Sequence, residues 1–318
     1  MKLIIQIPCF NEEKTLPTTL ADLPGRIEGI DCIETLIIDD GSTDETVAVA
    51  KKCGVDHILS IPVNKGLAHG FVQGLDYCLK EGADIIVNTD ADNQYCGEDI
   101  GALVSPILER EAEIVIGTRP VSKIAHFSPV KKLLQHIGSW AVRFASGTTV
   151  IDAPSGFRAF SREAAIGISV FNDYTYTLET IIQAGQNGVK IISVPIRVNE
   201  DLRPSRLVKS ITSYVQRSTV TILRIFMIYR PVKSFFIIGT IPFALGFFLG
   251  LRWIFLFFIE EGTRTHLPSL ILAAVLLMMG FQTFLFGLLA ELVATNRKLL
   301  EDNRTKLRHL ELDSRDDS

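Results

Sequence analysis

Two stretches of this 318-residue chain are too long and too apolar for most water-soluble folds to absorb. Phe235–Ile259 carries a single charge, Arg252, and Leu267–Leu289 carries none. A helix needs about 20 such residues to cross a ~30 Å hydrocarbon core, and both stretches reach that length. Only Glu260-Glu261-Gly262-Thr263-Arg264-Thr265-His266 separates them, so two spans would form a hairpin. Arg252 sits near the far end of the first span, where a long side chain can snorkel. Basic residues crowd before the first span and after the second (Arg297, Lys298, Arg304, Lys306, Arg308). The positive-inside rule then puts both flanks, and with them both termini, in the cytoplasm. Apolar residues at 47% and a mean hydropathy of +0.28 agree with a membrane part. The net charge of -4 says little, because the charges are segregated. Gly246 and Gly250 form a Gly-xxx-Gly pair of the kind that packs membrane helices, a pattern also common by chance. The charged segment from Asn296 to Ser318 reads as a frayed cytosolic helix or disorder. A two-span membrane part is thin, and self-association would bury more of it.

Between Leu202 and Lys233 stand Arg203, Arg206, Lys209, Arg217, Arg224, Arg230 and Lys233, with no acidic residue. Val208, Ile211, Val215, Ile222, Ile225 and Tyr229 recur at spacings of three, four or seven, which gives a helix here an apolar stripe. An apolar stripe with a basic face reads as an interfacial membrane helix. The competing reading is an ordinary surface helix. The organisation expected is a first domain over 1–204, an amphipathic helix over 205–231, the hairpin over 232–292 and a charged cytosolic tail over 293–318.

Up to about residue 200 strand-like and helix-like patterns alternate. Strands are expected at 2–8, 33–39, 56–61, 84–89, 113–117 and 190–197. Helices are expected near 12–23, 44–53, 66–81 and 98–110. Such alternation predicts an α/β fold with a mostly parallel, Rossmann-like sheet. The stretch 123–188 is more irregular, with helices at 130–146 and 175–187 and a Gly/Pro turn at 152–157. Leu3-Ile4-Ile5-Gln6-Ile7 is too short for a signal-peptide core and ends at Pro8, so it reads as the first strand. Cys9, Cys32, Cys53, Cys78 and Cys96 show no CxxC pairing and no His spacing. They read as reduced thiols, not as a disulfide framework or a zinc site.

The chemistry concentrates in Asn88-Thr89-Asp90-Ala91-Asp92-Asn93-Gln94, directly behind the apolar run that ends at Val87. On extended backbone Asp90 and Asp92 would point to one side. Two hard oxygen donors suit Mg²⁺ or Mn²⁺ that keeps waters and completes its shell with phosphate. Taken alone, the pair reads as well as an acidic turn. Four further motifs fall at strand ends or in loops able to converge there. They are Pro8-Cys9-Phe10-Asn11-Glu12-Glu13, Asp39-Asp40-Gly41-Ser42-Thr43-Asp44, Asn64-Lys65-Gly66-Leu67-Ala68-His69-Gly70 and Asp152-Ala153-Pro154-Ser155-Gly156-Phe157-Arg158. Singly, Asn11 or Ser42 is a helix N-cap and Glu13 or Glu45 a first-turn acid.

In this order the motifs resemble the membrane-associated GT-A glycosyltransferases of family 2, the group that includes dolichyl-phosphate mannose synthase and bacterial polyprenyl-phosphate glucosyltransferases. The resemblance covers roughly residues 2–210, and the hairpin resembles the bacterial members. It implies that Pro8, Phe10, Asn11, Glu12, Asp40, Lys65 and Asp90 serve the nucleotide, and Asp90, Asp92 and Gln94 the metal and diphosphate. It also implies catalytic roles for Asp92, Arg119 (in Gly117-Thr118-Arg119) and Arg203 (in Arg203-Pro204-Ser205-Arg206). Ser155, Arg158, Arg206 and His136 match acceptor-phosphate positions. Members with a mannose donor often carry arginine where this chain has His136, and Lys131, Lys132 or Arg143 compete for that role. Glu179 reads either as orienting a sugar hydroxyl or arginine, or as a salt bridge.

The implied reaction is inverting transfer of a hexose from a nucleotide sugar, UDP-hexose or GDP-mannose, to polyprenyl phosphate at the cytosolic membrane face. Membrane lipids are expected partners and nucleic acid is not. The alternatives are another lipid or polysaccharide acceptor, or an inactive membrane-anchored scaffold. A processive synthase would want more spans and a Gln-x-x-Arg-Trp motif, and neither is present in the sequence.

Overall fold

The structure is a computed structural model. It describes residues 1–120, 129–170, 176–199, 220, 224, 227–259 and 267–316, without the side chains of 129–136, 313, 315 and 316. The chain divides into two compact units, one of residues 1–219 with 301–318 and the other of residues 220–300. The expected boundary at 204, the amphipathic helix over 205–231 (save a few residues from 220 onward), Arg203 and Arg206 lie outside the described residues.

The first unit is built on β1 (Lys2–Cys9), β2 (Cys32–Asp39), β3 (His57–Ser60), β4 (Ile85–Asn88), β5 (Ile114–Thr118), β6 (Arg158–Ser161) and β7 (Ile191–Pro195). They form a seven-stranded sheet in the order β3-β2-β1-β4-β6-β5-β7. Every pairing is parallel except those of β6, which runs antiparallel between β4 and β5. Leu3, Ile4, Ile5 and Ile7 of β1 are all at 0% exposure. Apolar residues on consecutive positions are what a strand covered on both faces requires. Around the sheet lie α1 (Leu16–Ala21), α2 (Thr46–Lys52), α3 (Leu67–Lys80), α4 (Ile100–Leu108), α5 (Pro129–Ser146), α6 (Arg162–Gly167) and α7 (Thr177–Gln186). The strand order reverses direction in sequence at β1 and β4, and the crevice outside their carboxyl ends is where such sheets take ligands.

β6 was not expected. Arg-Ala-Phe-Ser is too short to show a period, and it enters the sheet by pairing rather than by pattern. Its antiparallel course matters for the site, because it brings the start of β6, not its end, to the carboxyl ends of β4 and β5. Asn88 stands opposite Arg158 in that ladder.

The second unit is a pair of helices, α8 (Pro231–Ile259) and the first part of α9 (Leu267–Asp316). Both are long and apolar enough to cross a membrane, and only 17% of each apolar window is buried, unlike the core helix of a soluble protein. The charged tail is neither frayed nor disordered in its described part, since α9 continues to Asp316. Its last turns belong to the first unit. There Arg308, 8% exposed, donates to the carbonyls of Ile166 and Ile168 at the C-terminal end of α6, and its guanidinium lies 2.6 Å from Asp76 of α3. A helix end leaves carbonyls unpaired, and a cation is a suitable cap for them.

Candidate active site

The loops after β1 and β2 are laced together. Asn11 takes φ +56°, donates its N–H to Ser42 Oγ at 3.0 Å and accepts the Thr43 N–H at 2.8 Å. Glu12 N–H donates to Thr46 Oγ1, and Glu13 Oε2 accepts the Glu45 N–H. Asn11 and Ser42 are therefore cross-loop ties and not helix caps; the residues preceding α1 and α2 are Thr15 and Glu45. Gly41 sits at φ +74°, and a Cβ there would lie 2.7 Å from the backbone nitrogen of Asn64. That turn lets Asp40 reach the third loop, where its two oxygens accept the N–H groups of Lys65 and Gly66 at 2.9 and 2.8 Å. Asp40 is 5% and Glu12 7% exposed, whereas Phe10 is 40% exposed and Lys65 is exposed. Of the residues expected to serve the nucleotide, Phe10 and Lys65 thus present surface, while Asp40 and Glu12 shape the loops.

After β4 the backbone does not stay extended. It turns at Ala91 and Asp92, and Asn93 takes φ +56°. The expectation that Asp90 and Asp92 share a side because they lie on a strand is thereby corrected: a turn sets their relative direction. Both carboxylates and Gln94 are half-buried, and Asp92 Oδ1 accepts the Gln94 N–H at 3.2 Å. Among the described residues no group of three or more His, Cys, Asp or Glu is arranged to hold a metal. Two carboxylates without a third ligand still fit a hard cation that keeps waters and binds through substrate phosphate.

Arg119, just past β5, forms a fork on Asp152, with Nε to Oδ2 at 2.8 Å and NH2 to Oδ1 at 3.0 Å. The side chains are 10% and 2% exposed. Burial works against the guanidinium's charge, but Tyr95, the hydrogen bonds to Asp152 and the nearby Asp90 raise it, and the net shift is upward. Arg119 is thus a permanently charged group whose fork is held by Asp152.

Arg158 takes a different position from that implied by the resemblance. It is 0% exposed, and its guanidinium donates to the carbonyls of Ser155 and Ala153 and to Thr180 Oγ1. Burial lowers it to about 10, while Tyr176, Tyr95, Asp152 and Asp90 favour its charge. A charged arginine beneath the 152–156 loop braces that loop; it presents no surface to an acceptor. Ser155 is also fully buried, and its Oγ has no hydrogen-bond partner among the described residues. His136 lies on α5, and its side chain is outside the description. Glu179 is buried on the first turn of α7.

Sequence reasoning missed the polar groups beneath Asp90. Asn88 donates to the Gly156 carbonyl and to the Tyr176 hydroxyl, both at 2.9 Å, and accepts from Gln6 Nε2 at 3.0 Å. Tyr95 Oη accepts the Gly156 N–H at 3.1 Å. The available signal was Gln6 and Asn88 themselves, polar residues in strands that are otherwise apolar on both faces.

Known proteins resemble this chain in sequence and fold. The model of Glycosyl transferase family 2 matches residues 4–168. The chain is 36% identical over 208 residues to an uncharacterized protein of Methanocaldococcus jannaschii, covering 62% of this chain and 81% of that one. It is 28% identical over 218 residues to an undecaprenyl-phosphate mannosyltransferase of Micrococcus luteus, covering 65% and 88%. It is 30% identical over 213 residues to a UDP-N-acetylglucosamine–dolichyl-phosphate N-acetylglucosaminyltransferase of Methanococcus voltae, covering 60% and 83%. Among solved structures, it resembles glucosyl-3-phosphoglycerate synthase of Mycobacterium tuberculosis. The form with phosphoglyceric acid gives a TM-score of 0.57 at 22% identity, over 71% of this chain and 79% of that one. A form with Mn²⁺, UDP and glucosyl-3-phosphoglycerate gives 0.53 at 19% identity, over 71% and 78%. At that identity the likeness shows the fold alone, which is the expected GT-A sheet.

Proposed function

The chain belongs to glycosyl transferase family 2, and from that premise we propose that it transfers a hexose from a nucleotide sugar to polyprenyl phosphate, inverting the anomeric centre, at the cytosolic face of a membrane. The observation that carries the reading is a convergence. The Asp90–Asp92 turn, the Arg119–Asp152 fork and the 152–156 loop meet at one sheet edge, in a chain with two membrane-length apolar helices. Relatives named for undecaprenyl and dolichyl phosphate acceptors support the lipid, and they differ among themselves in the sugar.

The leaving group is a nucleoside diphosphate, so developing negative charge must be neutralised where it appears. Mg²⁺ or Mn²⁺ held by Asp90 and Asp92 would supply Lewis-acid charge there, and a relative in fold was crystallised with Mn²⁺ and UDP. Arg119 brings a fixed positive charge whose direction Asp152 sets. The acceptor is already an anion, with a second pKa of about 6 for a phosphate monoester, so no side chain has to deprotonate it. The chain's work is to hold two anionic substrates in line against their repulsion. Arg203 and Arg206 are proposed to close over the diphosphate, and His136 and Arg206 to border the acceptor phosphate; Ser155, at 0% exposure, would act there only through the shape of its loop. Arg158 would act on that phosphate only through the loop it braces.

A polyprenyl chain leaves a bilayer at about 0.8 kcal/mol per exposed CH₂, so the site must come to the headgroup plane. α5 supports that reading. Ile137, Trp140 and Phe144 form an exposed stripe on it, with the last two rings 5.9 Å apart. Trp on an apolar face suits the membrane interface.

The test is a panel of labelled UDP- and GDP-sugars offered with undecaprenyl phosphate to membranes containing the chain. Label extracted into organic solvent, with Asp92→Ala lowering it about 10³-fold, is expected. Labelling of water-soluble acceptors alone, or equal labelling by Asp92→Ala, would overturn the reading.

A further inference from the structure

Gly156 is held on both sides of its Cα, through its N–H and its carbonyl. Its N–H is taken by Tyr95 and its carbonyl by Asn88, with the Tyr176 hydroxyl 3.5 Å from the same oxygen. The clamp has one workable orientation. Reversing the Asn88 amide would set its oxygen against the Gly156 carbonyl, acceptor against acceptor. Both tyrosines are themselves fixed by stacking: Tyr176 on Phe71 with centroids 3.8 Å apart and planes 8° from parallel, and Tyr95 on Phe157 at 5.0 Å. Both are buried, at 0% and 4% exposure.

The open side of Gly156 faces the metal-binding turn. A Cβ there would stand 3.0 and 3.2 Å from the two carboxylate oxygens of Asp90 and 3.2 Å from Tyr176 Oη. The carboxylate therefore rests against a surface that exists only because the residue has no side chain. The stacked Tyr176 cannot withdraw far, because its ring is packed on Phe71, so an added Cβ would have to displace the Asp90 carboxylate.

We propose that Gly156, clamped by Asn88, Tyr95 and Tyr176, is a positioning residue that fixes the direction of the Asp90 carboxylate and ties the 152–156 loop to it. The clamp makes the donor-side carboxylates and the acceptor-side loop one rigid piece, so that a shift in either is felt by both. This rests on the glycosyl-transfer reading given above; it gives a role to Asn88 and Gly156, which lie in the motifs without one, and adds Tyr95 and Tyr176.

The experiment uses the full chain in detergent with three variants, Gly156→Ala, Tyr176→Phe and Tyr95→Phe. Three quantities are read: free Mn²⁺ by electron paramagnetic resonance in the presence of UDP or GDP, kcat and KM for donor turnover, and Tm. Loss of a group that orients a metal ligand weakens binding or activity about 10- to 100-fold. Gly156→Ala is expected at the upper end of that range in kcat, with Mn²⁺ half-saturation raised about tenfold. Tyr176→Phe keeps the ring on Phe71 and loses one hydroxyl, so the same two readouts are expected to move about tenfold with Tm close to the parent's. If Gly156→Ala does not fold, the two phenylalanine variants carry the test. Mn²⁺ binding and kcat equal to the parent's in the folded variants, with only Tm changed, would overturn the positioning role. A parent chain with neither metal-dependent nucleotide binding nor donor turnover would instead take down the glycosyl-transfer reading, and this inference with it.

Discussion

The α/β unit and the helical hairpin both pack backbone closely at glycines, but against different neighbours. In the α/β unit some of the neighbours are polar side chains, which none of the described hairpin glycines meets: a Cβ on Gly74 would lie 2.4 Å from Gln6 Oε1, and one on Gly156 would meet Asp90. In the hairpin they are backbone and rings. A Cβ on Gly246 would lie 2.8 Å from the Ala273 carbonyl oxygen, and one on Gly280 would lie 2.6 Å from Phe243 Cβ and 2.9 Å from the Gly239 oxygen. The contacts recur every seven residues, at Gly239 and Gly246 on α8 and at Ala273, Gly280 and Gly287 on α9. The difference follows from solvent. In water apolar burial drives the fold, and buried polar groups are then tied to partners distant in sequence. In lipid no hydrophobic force pulls two apolar helices together, so close backbone approach at small residues must do so. A glycine beside polar groups marks a shaped site; a glycine every seventh residue marks a seam.

The sharpest way to break this contrast is to remove a charge partner in the α/β unit. Asp152→Ala leaves Arg119 buried with its fork empty. Breaking a buried pair costs about 3–5 kcal/mol. For a unit of this size that lowers Tm by about 10 °C. Differential scanning fluorimetry of the full chain checks it, and circular dichroism should show the hairpin helices retained above that transition. A variant that melts with the parent would mean that Asp152 does not hold Arg119.

The hairpin is probed next, with a matched pair. Gly280→Leu drives a side chain into Phe243 and the Gly239 backbone and should cost about 1–3 kcal/mol, read as lower resistance to SDS unfolding. Gly250→Leu should change nothing, because nothing stands within 4 Å of its Cβ position. Equal effects would dissolve the seam.

Arg308→Ala tests the end of α9. It uncaps two carbonyls of the α6 terminus and strands Asp76, at about 1–3 kcal/mol if the carbonyls stay dry. Faster proteolysis within residues 301–316, with the remaining unit intact, is the expected outcome.

The sequence made some of these features legible and hid others for physical reasons. The sheet showed because a strand buried on both faces must be continuously apolar, and Asp90 and Asp92 showed because carboxylates follow such a run directly. The loop ties of Asn11 and Ser42 looked like helix caps, since the same side-chain chemistry serves both uses. Arg158 was assigned to the acceptor because its motif resembles an acceptor-side loop, and its full burial runs against what is usual for arginine. The four-residue β6 that carries it has no readable period. Of the Gly246–Gly250 pair, whose spacing is also common by chance, only Gly246 lies on the seam, which repeats every seven residues and not every four. The tail read as a frayed helix or disorder because its charges hid that Arg308 and Leu312 face inward.

The smallest effect concerns pH, and it separates the two units by composition. Glu34 Oε2 lies 2.8 Å from Lys2 Nζ and 2.7 Å from His57 Nε2, with each side chain 19–25% exposed. Burial pushes the Glu34 carboxyl up, but the hydrogen bonds from Lys2 and His57 outweigh it and hold the carboxyl below its ordinary value. Unfolded, it titrates near 4.3. The stabilisation is therefore complete above about pH 4.3 and is lost as pH falls through the lower folded value. Lys2 shifts the opposite way: burial lowers it, Glu34 raises it further, and its share is lost only as pH rises through that raised value. Glu34→Gln should cost under about 1 kcal/mol at pH 7, as partly exposed pairs do, and should flatten the acid limb of the α/β unit's stability curve. The hairpin has no carboxylate between Pro231 and Ile259 or between Leu267 and Ala290. Its SDS resistance should not change over the same acid range, in parent or variant. An acid-sensitive hairpin would mean that the two units do not unfold independently.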